Sequence, residues 1–463
     1  MLLTTPSMVD AAVEGMRRHW RARSLIILAE EVSFGTAALI SEARGLGAEV
    51  LGVVAGRDLR TQHTGEPVSE CPVHWVAALS ADCTRQAFAE RVADPSPTLR
   101  DWLMRIDPQG KAAVLAGNRT EDAEVCGRPV FGRRRRSWAA WEDKTRIDDL
   151  WRRLQVPAPP SEIVPLDPES LRSAAAAVDN GLGVVLAMDS TTGFRGDSHG
   201  LAWVRDPAEL AAIEENWRGF TRTVRVSPFL AGVPYSVLGL VTPKGVAVFD
   251  PIEIVTLRRG EGLGFVFCGS STRWRPAADT AHAIMSQARV AGDELRGGYG
   301  YRGFFSVDGI ATATGCFPTE LNPRHASGLG LRAAWPAFPA YMFNRCLQEG
   351  LDLFDDFAPG PFEEWVRASV AEYPSLSVAV PLENRREPAT GADELCTSEG
   401  EHTVEWDSAG DRLTVRDLRG APGTEGRPIG PVIARLAQRH GCALLSHDTP
   451  PPELADVWEE GCR

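Results

Sequence analysis

GFFSVDGI at residues 303–310, a TATG turn at 312–315 and CFPTELNPR at 316–324 decide how this chain reads. Both outer segments have the alternation of strands joined by a tight turn, so 303–322 reads as a β-hairpin. Strand side chains alternate between faces, which puts Glu320 and Asn322 on one face. If even positions pair with even across the hairpin, Asp308 joins them. Two carboxylates and an amide carbonyl would then converge from rigid strands. Such an all-oxygen set suits Mg2+, which is normally held by one or two carboxylates together with substrate phosphates. Arg324 follows two residues after Asn322 and adds a guanidinium suited to forked contacts with phosphate or carboxylate oxygens. The SGLG stretch at 327–330 offers close backbone approach. The plain alternative is a hairpin with solvent-facing acids, which accounts for Asp308 alone better than for Glu320, Asn322 and Arg324 together.

Upstream, residues 24–118 alternate between apolar runs fit for buried strands (24–29, 49–54, 73–79, 111–116) and helical stretches (35–46 and around Trp102). That pattern predicts an open α/β sheet. No G-x-G-x-x-G follows the first strand, so a dinucleotide fingerprint is absent. Residues 137–155 carry apolar side chains at helical spacing, and Pro157, Pro159 and Pro160 then end the helix. Helices are also expected at 169–178, 207–217, 280–295 and 431–439, with strands at 183–188, 201–205, 222–230 and 235–242. Residues 189–200 (DSTTGFRGDSHG) read as a polar, glycine-bearing loop. Arg133–Arg136 reads most simply as a solvated basic turn, with an anion contact as the alternative.

The chain has 463 residues, enough for about two to four domains, and an ordinary globular balance of 43% hydrophobic and 24% charged residues. A formal net charge of −13 argues against a general electrostatic nucleic-acid binder. Nine cysteines occur without any C-x-x-C, which indicates neither a zinc site nor a disulfide framework and fits a reducing cytoplasm. Cys268 and Cys316 are expected to be buried fillers. The apolar run at 25–29 is too short for a signal-peptide core or a membrane span, so neither export nor insertion is expected.

Three of these segments, in this order, resemble the ATP-grasp superfamily of carboxylate–amine ligases over roughly 137–330. Members carry an acid-bearing strand, a turn and a strand reading E-x-N-P-R, as SVDGI and TELNPR do here. A D-K pair opens a helix closed by a G-V-P-x-P-like end, as Asp143-Lys144 and QVPAP at 155–159 do. A hinge strand resembling V-E-x-F-x-x-G appears as VSPFLAG at 226–232. A weaker similarity is to peptide ligases of the pheganomycin type. The fold that this implies is α/β and α+β: a Rossmann-like pre-ATP-grasp domain at 1–118, an ATP-grasp domain at 119–345 and a small C-terminal region at 346–463.

The resemblance further implies that Lys144 contacts ATP phosphate. Ser227, Phe229 and Leu230 would form the adenine pocket. The loop at 190–200, with Gly193 and Gly196, would cover the phosphates, and Arg195 or His199 would reach in. Asp308, Glu320 and Asn322 would hold Mg2+, while Arg324 stabilises the phosphoryl group and an acyl intermediate. Three features depart from the pattern. The strand at 183–188 lacks the lysine many members have there, for which Arg195 is a candidate replacement. Ser227 stands where an acid is frequent, and Pro234 and Tyr235 stand where a ribose-binding Glu often follows. The implied partners are ATP, Mg2+, a small-molecule or peptide carboxylate and an amine acceptor, without nucleic acid or membrane, and with a homodimer left open. Arg258, Arg259, Arg273 and Arg275 are candidates for a substrate carboxylate. The alternatives are a degenerate ATP-binding regulatory protein and a small-molecule kinase that stops at phosphorylation.

Overall fold

The computed structural model describes residues 6–32, 34–58, 85–115, 124–190, 198, 200–259, 263–326, 338–372, 376–381, 393–397, 400–406, 412–419, 426–439, 442 and 444–447. Three sheets organise them. The first runs in the order Glu49–Asp58, Ser24–Val32, Ala113–Leu115, Arg128–Phe131, Glu124–Val125. Its first four strands are parallel and the edge pair is antiparallel. This is the open α/β sheet that the alternating apolar runs predict. The expected strand at 73–79 lies outside the described residues.

The second sheet is small and antiparallel, in the order Glu162–Pro165, Thr223–Pro228, Val184–Met188, Leu201–Val204. Its two helices, Pro168–Val178 and Pro207–Trp217, start in the same way. Asp167 and Asp206 cap them, each accepting two backbone N–H bonds at 2.8–3.1 Å, and proline follows at the first helical position, where no N–H is needed. Leu171, Ala174, Leu210 and Ile213 then bury against Val184, Leu186, Val224 and Val226.

The third sheet has eleven strands and supplies the floor of a cleft described below. Its path begins Cys316–Asn322, Gly303–Ala311, Val233–Thr242, Ile252–Arg259, Phe265–Ser271 and continues through Leu376–Pro381 into the C-terminal strands. Helix Ala278–Tyr299 buries Ile284, Ala288, Ala291 and Leu295 against one face, the stripe its spacing predicts. Strands Gly245–Val248, Ile252–Arg259 and Phe265–Ser271 and helices Ala340–Glu349 and Pro359–Glu372 are additions to the sequence reading. The fold class is α/β and α+β, as expected. No helix among the described residues is long and apolar enough to cross a membrane.

The segment 137–155 is not one helix. An α-turn at Arg136–Ala139 and a 3-10 turn at Ala140–Glu142 are followed by an extended Asp143, and the helix restarts at Ile147–Arg153. Asp143 causes the break. Its Oδ1 accepts from the Thr145 backbone N–H at 2.9 Å and the Thr145 hydroxyl at 2.6 Å, a local alternative to helical bonding. The interruption swings Lys144 out of the helical register and toward the hairpin.

Candidate active site

A cavity of about 360 Å³ lies between the small sheet and the large one. Val185, Ala187, Arg225 and Ser227 border it from the small sheet, and Ser236, Asp308, Glu320 and Asn322 from the large one. The strand Thr223–Pro228 passes through a short hinge at 229–232 into Val233–Thr242, so one covalent connection joins the two walls.

Beyond a shift in pairing, the hairpin meets the even-to-even condition that puts Asp308 on the face of Glu320 and Asn322. Asp308 lies opposite Glu320 and Ser306 opposite Asn322, and the irregularity in pairing falls just after Asp308. Gly309, at that irregularity, has no room for a side chain, because a Cβ would stand 2.5 Å from the Tyr235 hydroxyl and from the Phe317 carbonyl. Tyr235 therefore packs under the hairpin, fully buried, while its neighbour Ser236 faces the cavity and donates to Asp308 Oδ1 at 2.6 Å. Asn322 Nδ2 donates to Asp308 Oδ2 at 2.9 Å. Loss of hydration and the facing Glu320 carboxylate push the Asp308 carboxyl up to about 7, against the Ser236 hydrogen bond.

Three cationic side chains border the cavity among the described residues: Lys144, Arg225 and Arg324. Lys144 Nζ stands 3.1 Å from Glu320 Oε2, with both side chains largely buried. Arg324 is held from two sides, donating through Nε to Glu142 Oε1 at 3.1 Å and through Nη2 to Asn322 Oδ1 at 3.2 Å. Glu142 Oε1 also lies 2.6 Å from Arg134 Nη2, and both members of that pair are 5% exposed. Arg134 thus corrects the solvated reading of the arginine run. Arg133, Arg135 and Arg136 are exposed, but Arg134 is a buried counter-charge.

No cluster of three or more His, Cys, Asp or Glu side chains forms a metal cage among the described residues. Asp308, Glu320 and the Asn322 amide are nonetheless a donor set that fits Mg2+, whose remaining ligands are phosphate oxygens and water. The fit has a structural marker: an ammonium, Lys144, already sits against Glu320. Cys268 and Cys316 are buried, as expected of fillers. Burial pushes the Cys268 thiol up to about 12 and raises Cys316 as well.

At the hinge, Leu230 and Ser227 border the cavity, but Phe229 does not. Its ring is fully buried between Trp203, at 4.7 Å, and His447, at 5.1 Å, and it supports the wall from behind. His447 comes from the C-terminal segment just after strand Leu444–Ser446. It stacks on Phe229 and Phe265, hydrogen-bonds the Leu230 backbone, and borders the cavity. Burial, reinforced by the charge of Arg258, pushes its imidazole down to about 3, so it is neutral. Arg258 is itself used in this stack. It lies over Trp203 and Phe229 and donates to the Ser446 carbonyl. None of Arg258, Arg259, Arg273 and Arg275 borders the cavity.

The structure therefore brings Lys144, Ser227, Leu230, Asp308, Glu320, Asn322 and Arg324 to one cleft. Gly193, Arg195, Gly196, His199 and the SGLG stretch lie outside the described residues. Glu142, Arg134, Ser236, Arg225 and His447 were not foreseen. Of these, Ser236 and Glu142 left a trace in sequence, one by strand parity after the hinge and the other by immediate adjacency to Asp143-Lys144.

Solved structures share this fold. The biotin carboxylase of Campylobacter jejuni, solved as a β-γ-ATP complex, is similar with a TM-score of 0.57 at 14% identity, over 93% of each chain. The biotin carboxylase domain dimer of Hydrogenobacter thermophilus 2-oxoglutarate carboxylase, with MgADP, ADP and bicarbonate, gives 0.56 at 15% identity, over 94% of this chain and 93% of that one. An L-amino acid ligase from Bacillus licheniformis gives 0.53 at 11% identity, over 92% of this chain and 98% of that one. The fold is that of ATP-grasp proteins, as the hairpin and hinge resemblance implied. No protein-family model matches the chain, and no curated protein matches it in sequence.

Proposed function

We propose that this protein is an ATP-dependent, ADP-forming ligase that joins a carboxylate to an amine. The observation that carries the reading is the hairpin face on which Asp308, Glu320, Asn322 and Arg324 converge, opposite Lys144, on a cavity floored by the large sheet. Mg2+ bound by Asp308, Glu320 and Asn322 would neutralise charge on the phosphates. The protein's own work is positioning and charge stabilisation. Leu230 and the hinge backbone hold the base. Lys144 meets the phosphates, and Arg324, clamped by Glu142 and Asn322, meets charge at the transferring group. A carboxylate oxygen of the acid attacks the γ-phosphorus, the bond to the β-phosphate oxygen breaks, and ADP leaves. An amine nitrogen then attacks the acyl carbon of the acyl phosphate. Phosphate departs with the carbon–oxygen electron pair, nitrogen loses a proton, and an amide remains. The acid and amine are a small molecule or peptide of a biosynthetic pathway, handled in the cytoplasm.

A second reading, an ATP-binding regulator without turnover, is favoured by one observation: Ala187 and Ser227 border the cavity where cation and acid would strengthen it. Hydroxylamine trapping decides between them. Purified protein with Mg2+, ATP and hydroxylamine, run across amino acids and short peptides, should form a hydroxamate with stoichiometric ADP, and Glu320→Gln should abolish both. ATP binding without ADP or hydroxamate from any acid would favour the regulator. A stable phosphorylated product formed without amine would point to a kinase.

A further inference from the structure

Among the described residues, the small sheet presents a single cation to the cavity. Side chains of paired antiparallel strands alternate together. Val185 lies opposite Ser227 and Ala187 opposite Arg225, and all four border the cavity. Strand Val184–Met188 therefore brings only apolar side chains to that face, and the charge comes from its neighbour. The Arg225 side chain is 5% exposed. Its Nε and Nη2 are gripped by Asp148, at 2.5 and 2.8 Å, and Asp148 also accepts from the Ser161 hydroxyl at 2.6 Å. That grip fixes the guanidinium plane. Nη1 makes only a 3.5 Å approach to the hydroxyl of Ser227, itself a cavity residue. Across the cleft the acids are Asp308 and Glu320, and Glu320 already engages Lys144. A polyanionic ligand entering between the walls meets one fixed, pre-oriented guanidinium on the small-sheet side.

We propose that Arg225 is a phosphate-binding residue, contacting the polyphosphate of the nucleotide from the small sheet and replacing a cation that strand Val184–Met188 lacks. This rests on the reading of the cavity as a nucleotide site. Asp148 is then a positioning residue. It holds Nε and Nη2 so that the remaining edge of the guanidinium serves the ligand. Directly opposed positions in an antiparallel pair have Cβ atoms roughly 5 Å apart, so a cation at 187 or at 225 reaches the same space.

The test is calorimetric titration of the full chain with adenosine, ADP and ATP in Mg2+. Arg225→Met should weaken ADP and ATP by about 10- to 100-fold, the worth of one charge-assisted contact, while adenosine changes by less than about threefold. Because breaking a buried ion pair can unfold a protein, Asp148→Asn/Arg225→Met removes the pair as a unit and should show the same phosphate-dependent loss. Ala187→Lys/Arg225→Met, which moves the cation across the strand pair, should recover most of the ATP affinity. Equal losses for adenosine and ATP in Asp148→Asn/Arg225→Met, no loss of ATP affinity in that variant, or no recovery in Ala187→Lys/Arg225→Met would overturn the proposal and leave Arg225–Asp148 as a strut between sheet and helix. A wild-type chain that binds none of the three ligands would instead overturn the nucleotide reading on which it rests.

Discussion

Replacing Lys144 by Met should have opposite effects on two ligands. The Lys144 ammonium stands 3.1 Å from Glu320, in a pair whose side chains are 10% and 19% exposed. With an effective dielectric of about 20, the Coulomb attraction at that distance is about 5 kcal/mol, and desolvation of both groups reduces the net value to about 1.5–3 kcal/mol. A divalent cation binding without nucleotide must compete with that ammonium for Glu320. Methionine keeps the apolar stem of the side chain and removes the competitor, leaving Asp308 and Glu320 facing each other across the hairpin. Mn2+ affinity measured by electron paramagnetic resonance, in the absence of nucleotide, should therefore rise by about 10- to 100-fold. ATP affinity should fall by about tenfold or more, because a phosphate contact is lost. The wild-type site would thus be built so that nucleotide and metal arrive together, with the ammonium transferring from carboxylate to phosphate. If Mn2+ bound the variant no better than the wild type, Lys144 would not be holding the metal's place, and the reasoning would fail.

Other perturbations separate the parts of the cleft. Glu142→Gln should lower the rate of hydroxamate formation by about tenfold or more while leaving ATP affinity within about threefold, because it loosens Arg324 without touching the nucleotide. It should also cost about 3 kcal/mol of stability by stranding Arg134, a loss that Arg134→Met in the same background recovers while the rate stays low. Ser236→Ala removes a hydrogen bond that favours the ionised form of Asp308, so Mn2+ affinity at pH 7 should fall and the deficit should shrink as pH rises. His447→Phe keeps the ring stack and removes a titrating group. The folded imidazole sits near 3 and the unfolded one near 6.5, so the folded protein binds fewer protons and wild-type stability is lost as pH falls below about 6.5. At pH 5 that loss is about 2 kcal/mol relative to pH 8, and urea titrations of the variant should lack it.

What was legible in the sequence is what is local. Strand alternation needs only neighbouring residues, so the shared face of Glu320 and Asn322 followed from parity alone, whereas Asp308 joins them only because a bulge after it shifts the pairing by one residue, which the length of the turn does not show. The helix around Asp143-Lys144 was misjudged because spacing of Trp138, Trp141, Ile147 and Leu150 is compatible with one continuous helix. The break depends on a side-chain bond from Asp143 to Thr145 that competes with the helix and leaves the apolar pattern intact. Phe229 was expected in the adenine pocket because the resemblance of the hinge strand implied it. Its ring turned the other way because His447, more than two hundred residues later, and Trp203 offer it two faces to pack on.

The cations show the same limit in sharper form. Arg225 reads in sequence as an ordinary strand residue in VRVSPF. Its meaning depends on Ala187 lying opposite, on Asp148 in a helix, 77 residues earlier, and on a cavity that neither strand forms alone. A strand that lacks a cation at 183–188 looks deficient only while strands are taken one at a time. Within the sheet, the electrostatic requirement belongs to the face, and either member of an opposed pair can meet it. The deficit read from residues 183–188 is therefore weak support for a degenerate site, and the affinity of Ala187→Lys/Arg225→Met for ATP measures how far the two positions are equivalent.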